Sequence, residues 1–180
     1  MKTIDLNADI GEADTPEWAA SEAAIISAIS SANIACGGHA GDKDSMRLTV
    51  RRAKAAGVTI GAHPAYPDRE NFGRLSLKLG EDIEAKALSA TLRAQILELA
   101  EICADEGAKL AYVKPHGALY NDSVFNPEKA ELISSVIANI DPHLVFLGGP
   151  NSEMGKAASA HNLNFIAEGF IDRRLSLIHI

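Results

Sequence analysis

The stretch SANIACGGHAGDKDSMRLTVRRAKAAGVTIGAH, Ser31–His63, decides the fold class. It opens on a short apolar run that ends in glycines. An amphipathic segment follows, in which Met46, Val50 and Ala53 recur at spacings of three and four, the period of one helical face. Asp42 stands where a helix N-cap belongs, and Gly57 where a helix stops. The β-rich run VTIGAH comes next. Strand, helix and strand in that order make a parallel βαβ unit.

The same rhythm continues in both directions. Upstream, KTIDLNAD reads as a first strand, Thr15 as an N-cap with Pro16 at the first helical position, and Trp18 to Ile29 as a helix. Downstream, PAYPDRENFGR has the Pro, Gly and Asn content of a loop. A helix is expected from about Glu81 to Glu106, with Ile83, Leu88, Leu92, Ile96, Leu99 and Cys103 on its buried stripe. KLAYVKPH is the fourth strand, followed by a helix from Pro127 to Ile140. LVFLGG is the fifth, followed by a helix through Met154 to Ala160, and LNFIAEG is the sixth. Six strands alternating with helices imply an α/β fold with a parallel sheet and right-handed crossovers. The sequence pattern leaves two architectures, an open doubly wound sheet and a parallel β/α barrel.

Composition narrows the function classes. The chain has 180 residues, 47% hydrophobic and 23% charged, with a formal net charge of −7. Those figures suit one domain with its own core. No block of Lys and Arg offers a nucleic-acid footprint. No apolar run approaches the roughly 18 residues of a membrane span. The charged N-terminus MKTIDLNADIGEAD does not read as a signal peptide, so the expected location is cytoplasmic. Cys36 and Cys103 form no CxxC pair and suggest no disulfide framework.

The chemistry gathers where strands end. The first strand runs into Asn7, Asp9 and Glu12, and the second into Asn33, His39 and Asp42. The third runs into His63, the fourth into Lys114, His116 and Asn121, and the sixth into Glu168, Asp172 and Arg173. In a parallel sheet all carboxyl ends lie on one face, where both candidate architectures place active sites. These residues are therefore expected to converge. His143, His161 and His179 fall elsewhere and read as structural or surface residues. Histidines with a carboxylate suit either a divalent metal, with Asp9, His39, His63 and His116 as its possible ligands, or metal-free acid–base catalysis on an amide. Lys114 and Arg173 suit a carboxylate or phosphate. Asn7, Glu12, Asn33, Asn121, Glu168 and Asp172 complete the candidate binding set. GGPNSEMGKA lacks the spacing of a Walker loop, and Cys36 is a weak candidate nucleophile.

Five motifs in order, DLNADIGE, SANIACGGHAGD, GAHPAYPD, VKPHGALYN and EGFIDRR, resemble the LamB/YcsF family, the A subunit of bacterial 5-oxoprolinase. The resemblance runs from Lys2 to about Arg174. It implies a β/α barrel akin to the glycoside hydrolase/deacetylase barrels, and ATP-dependent opening of 5-oxoproline to L-glutamate together with partner subunits B and C. On that reading Asp9, His39, His63 and His116 carry the acid–base work. ATP is handled with the partners, because this chain shows no P-loop. The family pattern commonly has Cys at Ala8, an aromatic at Gly38 and glycine at Ala65. Family members continue past the DRR motif, and a full barrel takes about 250 residues. The expectation is therefore a single barrel domain over 1–174, incomplete at its C-terminus. An atypical apolar tail over 175–180 would pack as an extra strand or drive self-association. Two alternatives remain: a metal-dependent hydrolase or deacetylase acting on a carbohydrate or amide, and a non-catalytic binding subunit.

Overall fold

The structure is a computed structural model that describes residues 4–170. Asp172, Arg173, His179 and the 175–180 tail lie outside the described residues. The strands are β1 (Asn7–Ile10), β2 (Ser31–Ala35), β3 (Thr59–His63), β4 (Leu110–Val113), β5 (Val145–Gly148) and β6 (Phe165–Ala167). The helices are α1 (Pro16–Ile26), α2 (Lys43–Ala55), α3 (Ala85–Asp105), α4 (Gly117–Phe125), α5 (Pro127–Ile140) and α6 (Glu153–Ala160).

Strand order resolves the choice of architecture. The sheet runs β1-β2-β3-β4-β5-β6, every neighbouring pair parallel. A doubly wound sheet reverses its order at a switch point. Here each strand adds beside its predecessor, as in a β/α barrel. The sheet is also strongly curled. Neighbouring strands lie about 4.8 Å apart, so in a flat sheet β4 would sit roughly 14 Å from β1. Yet Lys114, just past β4, reaches Asp9 of β1 at 3.4 Å and Glu168, just past β6, at 3.2 Å. Among the described residues β1 and β6 remain edges, so the sheet is a half-barrel, incomplete as expected.

Alternation along the strands explains the curl's two sides. Ile10, Ala32, Ile34, Ile60, Ala62, Val113 and Phe146 belong to the buried apolar core. The helices cover that face, with Met46 and Val50 of α2 and Leu88, Leu92, Ile96 and Leu99 of α3. The opposite, concave face is polar: Asn7, Asp9, Asn33, His63 and Tyr112 alternate with those core residues. Gly61 sits on this face because Tyr112 of the neighbouring strand lies across it. A Cβ at Gly61 would fall 2.1 Å from Tyr112 Cε2.

The local signals mostly hold. Thr15 caps α1 by accepting from Trp18 N at 3.2 Å, and Asp42 forms a capping box with Ser45. Three elements differ. The first strand begins at Asn7 rather than Lys2. The third helix begins at Ala85, because Leu79–Ile83 is spent on a small bridged turn. A whole helix, α4, has no counterpart in the sequence pattern. It follows the fourth strand directly, ends at the Asn126–Pro127 boundary, and its buried Leu119, Tyr120 and Val124 give no clean periodic stripe.

Candidate active site

The strand ends bring His39, His63, His116 and Glu12 together at one end of the half-barrel. His63 is the last residue of β3, and backbone pairing continues past β4 to hold the next two elements. Lys114 N donates to Ala62 O at 2.9 Å and His116 N to Pro64 O at 2.8 Å. The three histidines are almost fully buried. Glu12 arrives from the β1–α1 turn, where Gly11 adopts a φ of +82° that favours glycine. Glu22 of α1 then fixes that turn, its Oε1 accepting from Glu12 N at 2.8 Å and Ala13 N at 3.1 Å.

The backbone partners set the histidine tautomers. His63 Nδ1–H donates to Lys114 O at 2.7 Å, and His116 Nε2–H donates to Phe72 O at 3.0 Å. The remaining ring nitrogens, His63 Nε2 and His116 Nδ1, face each other at 3.0 Å. In the neutral state both carry lone pairs, so a proton or a cation belongs between them. Glu12 Oε1 lies 2.8 Å from His39 Nε2 and 3.6 Å from His116 Nδ1. The four donor atoms all fall within 4.8 Å of one another. Donors about 2.0–2.2 Å from a tetrahedral zinc-like ion stand roughly 3.4 Å apart. Glu12, His39, His63 and His116 could therefore hold a metal ion.

Electrostatics favour neutral imidazoles at His39 and His116. Burial, reinforced by the His63 and His39 charges, pushes His116 down to about 4. Burial also lowers His39, and His63 adds to that, although Glu12 pulls the other way. The His39 and His116 rings stack at 3.6 Å with 1° between planes, an arrangement poorly suited to two cations. Burial opposes ionisation of Glu12, but the His39 hydrogen bond and the His63 and His39 charges hold its carboxyl below the usual range. Neutral histidine and ionised carboxylate are the forms that ligate metals or accept protons.

The remaining predicted residues divide into neighbours and outliers. Asp9, expected among the metal ligands, gives way to Glu12 in the four-atom group. Asp9 instead bridges the cluster to a second polar group: its Oδ1 is 3.4 Å from His63 Nε2, 3.4 Å from Lys114 Nζ and 2.7 Å from Asn33 Nδ2. Burial opposes its ionisation, but His63, Lys114 and Asn33 together hold its carboxyl well below the usual range. Asn33 is buried, and its amide is fully used, donating to Asn7 and Asp9 and accepting from Tyr112 Oη at 2.7 Å. Lys114, expected to hold an anion, already faces Asn7 Oδ1, Asp9 Oδ1 and Glu168 Oε2 at 3.2–3.4 Å. Asn121 is not brought to the cluster. Helix α4 carries it to the surface, where it lines a recess with Asp122 and Phe125. His161 pairs with Glu131 on the outside, and His143 is exposed. Cys36 is fully buried and its thiol is pushed up to about 12, mainly by that burial, which disfavours the thiolate a nucleophile needs.

Sequence reasoning missed Phe72, Tyr112 and Gln95. Phe72 adopts a φ of 55°, rare for a bulky residue, and its ring packs edge-on against His39 and His116 at 5.1 and 5.4 Å. Tyr112 had a usable signal, since it stands two residues before Lys114 and so shares its face. Gln95 of α3 clasps Ala65, donating to its O at 2.9 Å and accepting from its N at 3.0 Å. A Cβ on Gly38 would lie 2.4 Å from Gln95 Oε1, so the glycine leaves room for this clasp.

A curled parallel half-barrel with a His/Glu cluster at the carboxyl ends of its strands defines a β/α-barrel protein with an enzyme-like site. The sequence profile of the LamB/YcsF family matches residues 4–177, and the chain belongs to that family. It is 42% identical over 97% of its length to the 5-oxoprolinase A subunit of Neisseria meningitidis serogroup C, covering 67% of that protein. It is 44% identical over 96% of its length to that of Haemophilus influenzae strain PittGG, again covering 67%. The crystal structure of a lactam utilization protein from Thermus thermophilus superposes with a TM-score of 0.84 at 35% identity. That match covers 93% of this chain and 66% of the other. The chain thus spans about two thirds of the length of the relatives it matches.

Proposed function

We propose that this chain is the A-type subunit of an ATP-dependent 5-oxoprolinase, a hydrolase that opens the cyclic amide of 5-oxoproline to L-glutamate. The observation that carries the reading is the buried Glu12–His39–His63–His116 cluster, found in a chain more than 40% identical to proteins of that name. A lactam carbon is a poor electrophile, and opening it to an amino acid is only weakly driven, so coupling to ATP is chemically reasonable. Buried histidines beside an ionised glutamate supply what hydrolysis needs: a base for the attacking water and a proton for the leaving nitrogen. Phe72, packed over His39 and His116, limits the access of bulk water.

The facing lone pairs of His63 Nε2 and His116 Nδ1 favour a divalent metal as cofactor, held by these two atoms, His39 Nε2 and Glu12. Such an ion would polarise an oxygen of the substrate or acidify a bound water. ATP is handled with partner subunits B and C in the cytoplasm, since GGPNSEMGKA runs from the end of β5 through a turn into the Ser152-capped start of α6 and lacks the spacing of a Walker loop. The test mixes the purified chain with the partner subunits, ATP and 5-oxoproline and follows glutamate. Glutamate release that requires this chain and fails with His63→Ala supports the reading. Partners that turn over equally well without the chain would overturn it.

A further inference from the structure

5-Oxoproline carries a carboxylate beside its ring amide, and that charge needs a cation. Lys114 does not suit it. Its ammonium already faces two carboxylates, Asp9 at 3.4 Å and Glu168 at 3.2 Å. Glu12 adds a third acidic group beside the histidines. The interior of the half-barrel is therefore anionic and repels a further negative charge. A substrate carboxylate belongs at the rim, against a cation that no acidic side chain has claimed.

The loop between β3 and α3 supplies that cation. Phe72 and Gly73 both lie in the left-handed region, at φ 55° and 63°. Backbone bonds clamp this turn: Gly73 N donates to Asp68 O at 2.7 Å, and Ala118 N donates to Gly73 O at 3.0 Å. The clamp holds the Phe72 ring against His39 and His116 and leads the chain into Arg74, whose N donates to Asn71 O at 3.1 Å. The Arg74 stem passes Gly117, the residue after His116: a Cβ built on Gly117 would lie 3.8 Å from Arg74 Cγ. The guanidinium sits over the Phe72 ring, with Cζ 5.1 Å from the centroid. Contact with a ring face uses none of the five N–H donors. Among the described residues Arg74 has this ring contact and no acidic partner. Arg69, in the same loop, is by contrast committed, its Nη1 donating to Gly41 O at 2.7 Å and Gly37 O at 3.1 Å.

The distances suit a small lactam. A single ring links the guanidinium to the histidines, by contacts of 5.1 Å to Arg74 and of 5.1 and 5.4 Å to His39 and His116. With covalent bonds of about 1.5 Å and charge-assisted hydrogen bonds of about 2.8 Å, a 5-oxoproline gripped by its carboxylate puts its amide carbon roughly 8 Å from Cζ. That length carries the amide past one ring toward the histidine cluster.

We propose that Arg74 holds the carboxylate of the lactam substrate, its guanidinium donating two N–H bonds to the carboxylate oxygens while Phe72 keeps it at the rim of the histidine site. This rests on the lactam-opening reading and deepens it: the substrate must bear a carboxylate beside its ring amide.

The test is calorimetric titration of the chain with 5-oxoproline, with its carboxamide and with 2-pyrrolidinone, the same ring without the side group. The unmodified chain binds the acid about tenfold or more tightly than the carboxamide, the size expected of a hydrogen-bonded charge pair. Arg74→Met keeps the stem and removes the donors. The acid then falls to the level of the carboxamide, whose own affinity is unchanged, which also shows that the variant folds. Arg74→Lys restores part of the preference, since an ammonium supplies charge without the planar fork. Arg93→Met removes an exposed charge from the middle of α3 and leaves the preference intact. An undiminished preference in Arg74→Met would overturn the inference, as would an equal loss in Arg93→Met. So would acid and carboxamide weakening alike in Arg74→Met, the mark of a merely structural role. Equal binding of acid and carboxamide by the unmodified chain would overturn the carboxylate assignment and leave the lactam reading intact. Binding of none of the three compounds would overturn the lactam reading itself.

Discussion

The polar concave face makes a prediction that begins at a glycine far from any reacting atom. In Gly61→Ala the new Cβ would stand 2.1–2.5 Å from three atoms of the Tyr112 ring. Ordinary contact requires the rigid ring to retreat by more than an ångström. Overpacking of that kind costs about 1–3 kcal/mol. The same retreat breaks the 2.7 Å bond from Tyr112 Oη to Asn33 Oδ1 and strands a fully buried acceptor, for about 1–3 kcal/mol more. The sum is a large share of the ~5–15 kcal/mol typical of a domain. At about 2–4 °C per kcal/mol, the thermal midpoint should fall on the order of 10 °C. Activity should fall further than stability accounts for, because Asn33 is the amide that orients Asp9 and Asn7 beside Lys114. The decisive assay is a double-mutant cycle by urea denaturation. In a Tyr112→Ala background the space is vacant, and Gly61→Ala should cost almost nothing. If it costs as much there as in the unmodified chain, the two residues are uncoupled and the reasoning is refuted.

Three further outcomes follow from the site. Burial depresses His116 to about 4 from an ordinary 6.5, so the unfolded chain binds more protons between those pH values. Stability present above pH 6.5 is therefore lost as pH falls toward 4, and His116→Gln should flatten that slope in thermal melts; parallel slopes would sink the assignment. Glu12→Gln removes the anionic member of the four-atom group, so equilibrium dialysis with zinc or manganese should show binding weakened at least about tenfold against the unmodified chain; unchanged stoichiometry and affinity would show that Glu12 is no ligand. Asp122→Ala strands the buried Lys129 ammonium, now 2.6 Å from the carboxylate, and also frees Tyr66 and Ser76, which donate to the same oxygen. Denaturation should show a loss of about 3–5 kcal/mol, most of it absent when Lys129→Met is added; a loss under 1 kcal/mol would contradict the account.

Most of the fold was legible because its signals are local. Asp42, Thr15 and the Met46–Val50–Ala53 stripe each work within a few residues, and parallel topology follows from their order. Helix α4 was illegible for the same reason: its nine residues are held by tertiary burial rather than by a periodic face. The site was legible as a set of strand ends but not as a geometry. Alternation places Asp9 on the concave face beside His63, yet only the turn at Gly11 shows that Glu12 reaches His39 and His116 as well. Gln95 was invisible in principle, since nothing local distinguishes a helical glutamine that faces solvent from one that clasps Ala65 across 30 residues.

The two polar groups differ in a way that separates their work. Around the histidines, acceptors face one another and a positive centre is wanted, whether proton or metal. Around Lys114, two carboxylates, Asp9 and Glu168, share one ammonium, and negative charge is already in excess. Asp9 touches both, through His63 on one side and Lys114 on the other, and these contacts hold it ionised. A shared carboxylate fixes the two groups at one short separation, which suits a single small ligand spanning both. It also lets a change of charge at His63 reach Lys114 and Glu168 through one side chain. The partly open position of Asp9, whose side chain is 41% exposed, makes it the member of this relay most accessible to an entering ligand. Asp9→Asn keeps the shape and removes the charge. It should therefore uncouple the groups, suppressing turnover while the chain still folds, as a thermal melt would show. Turnover at the unmodified rate would mean that Asp9 carries nothing between the two groups.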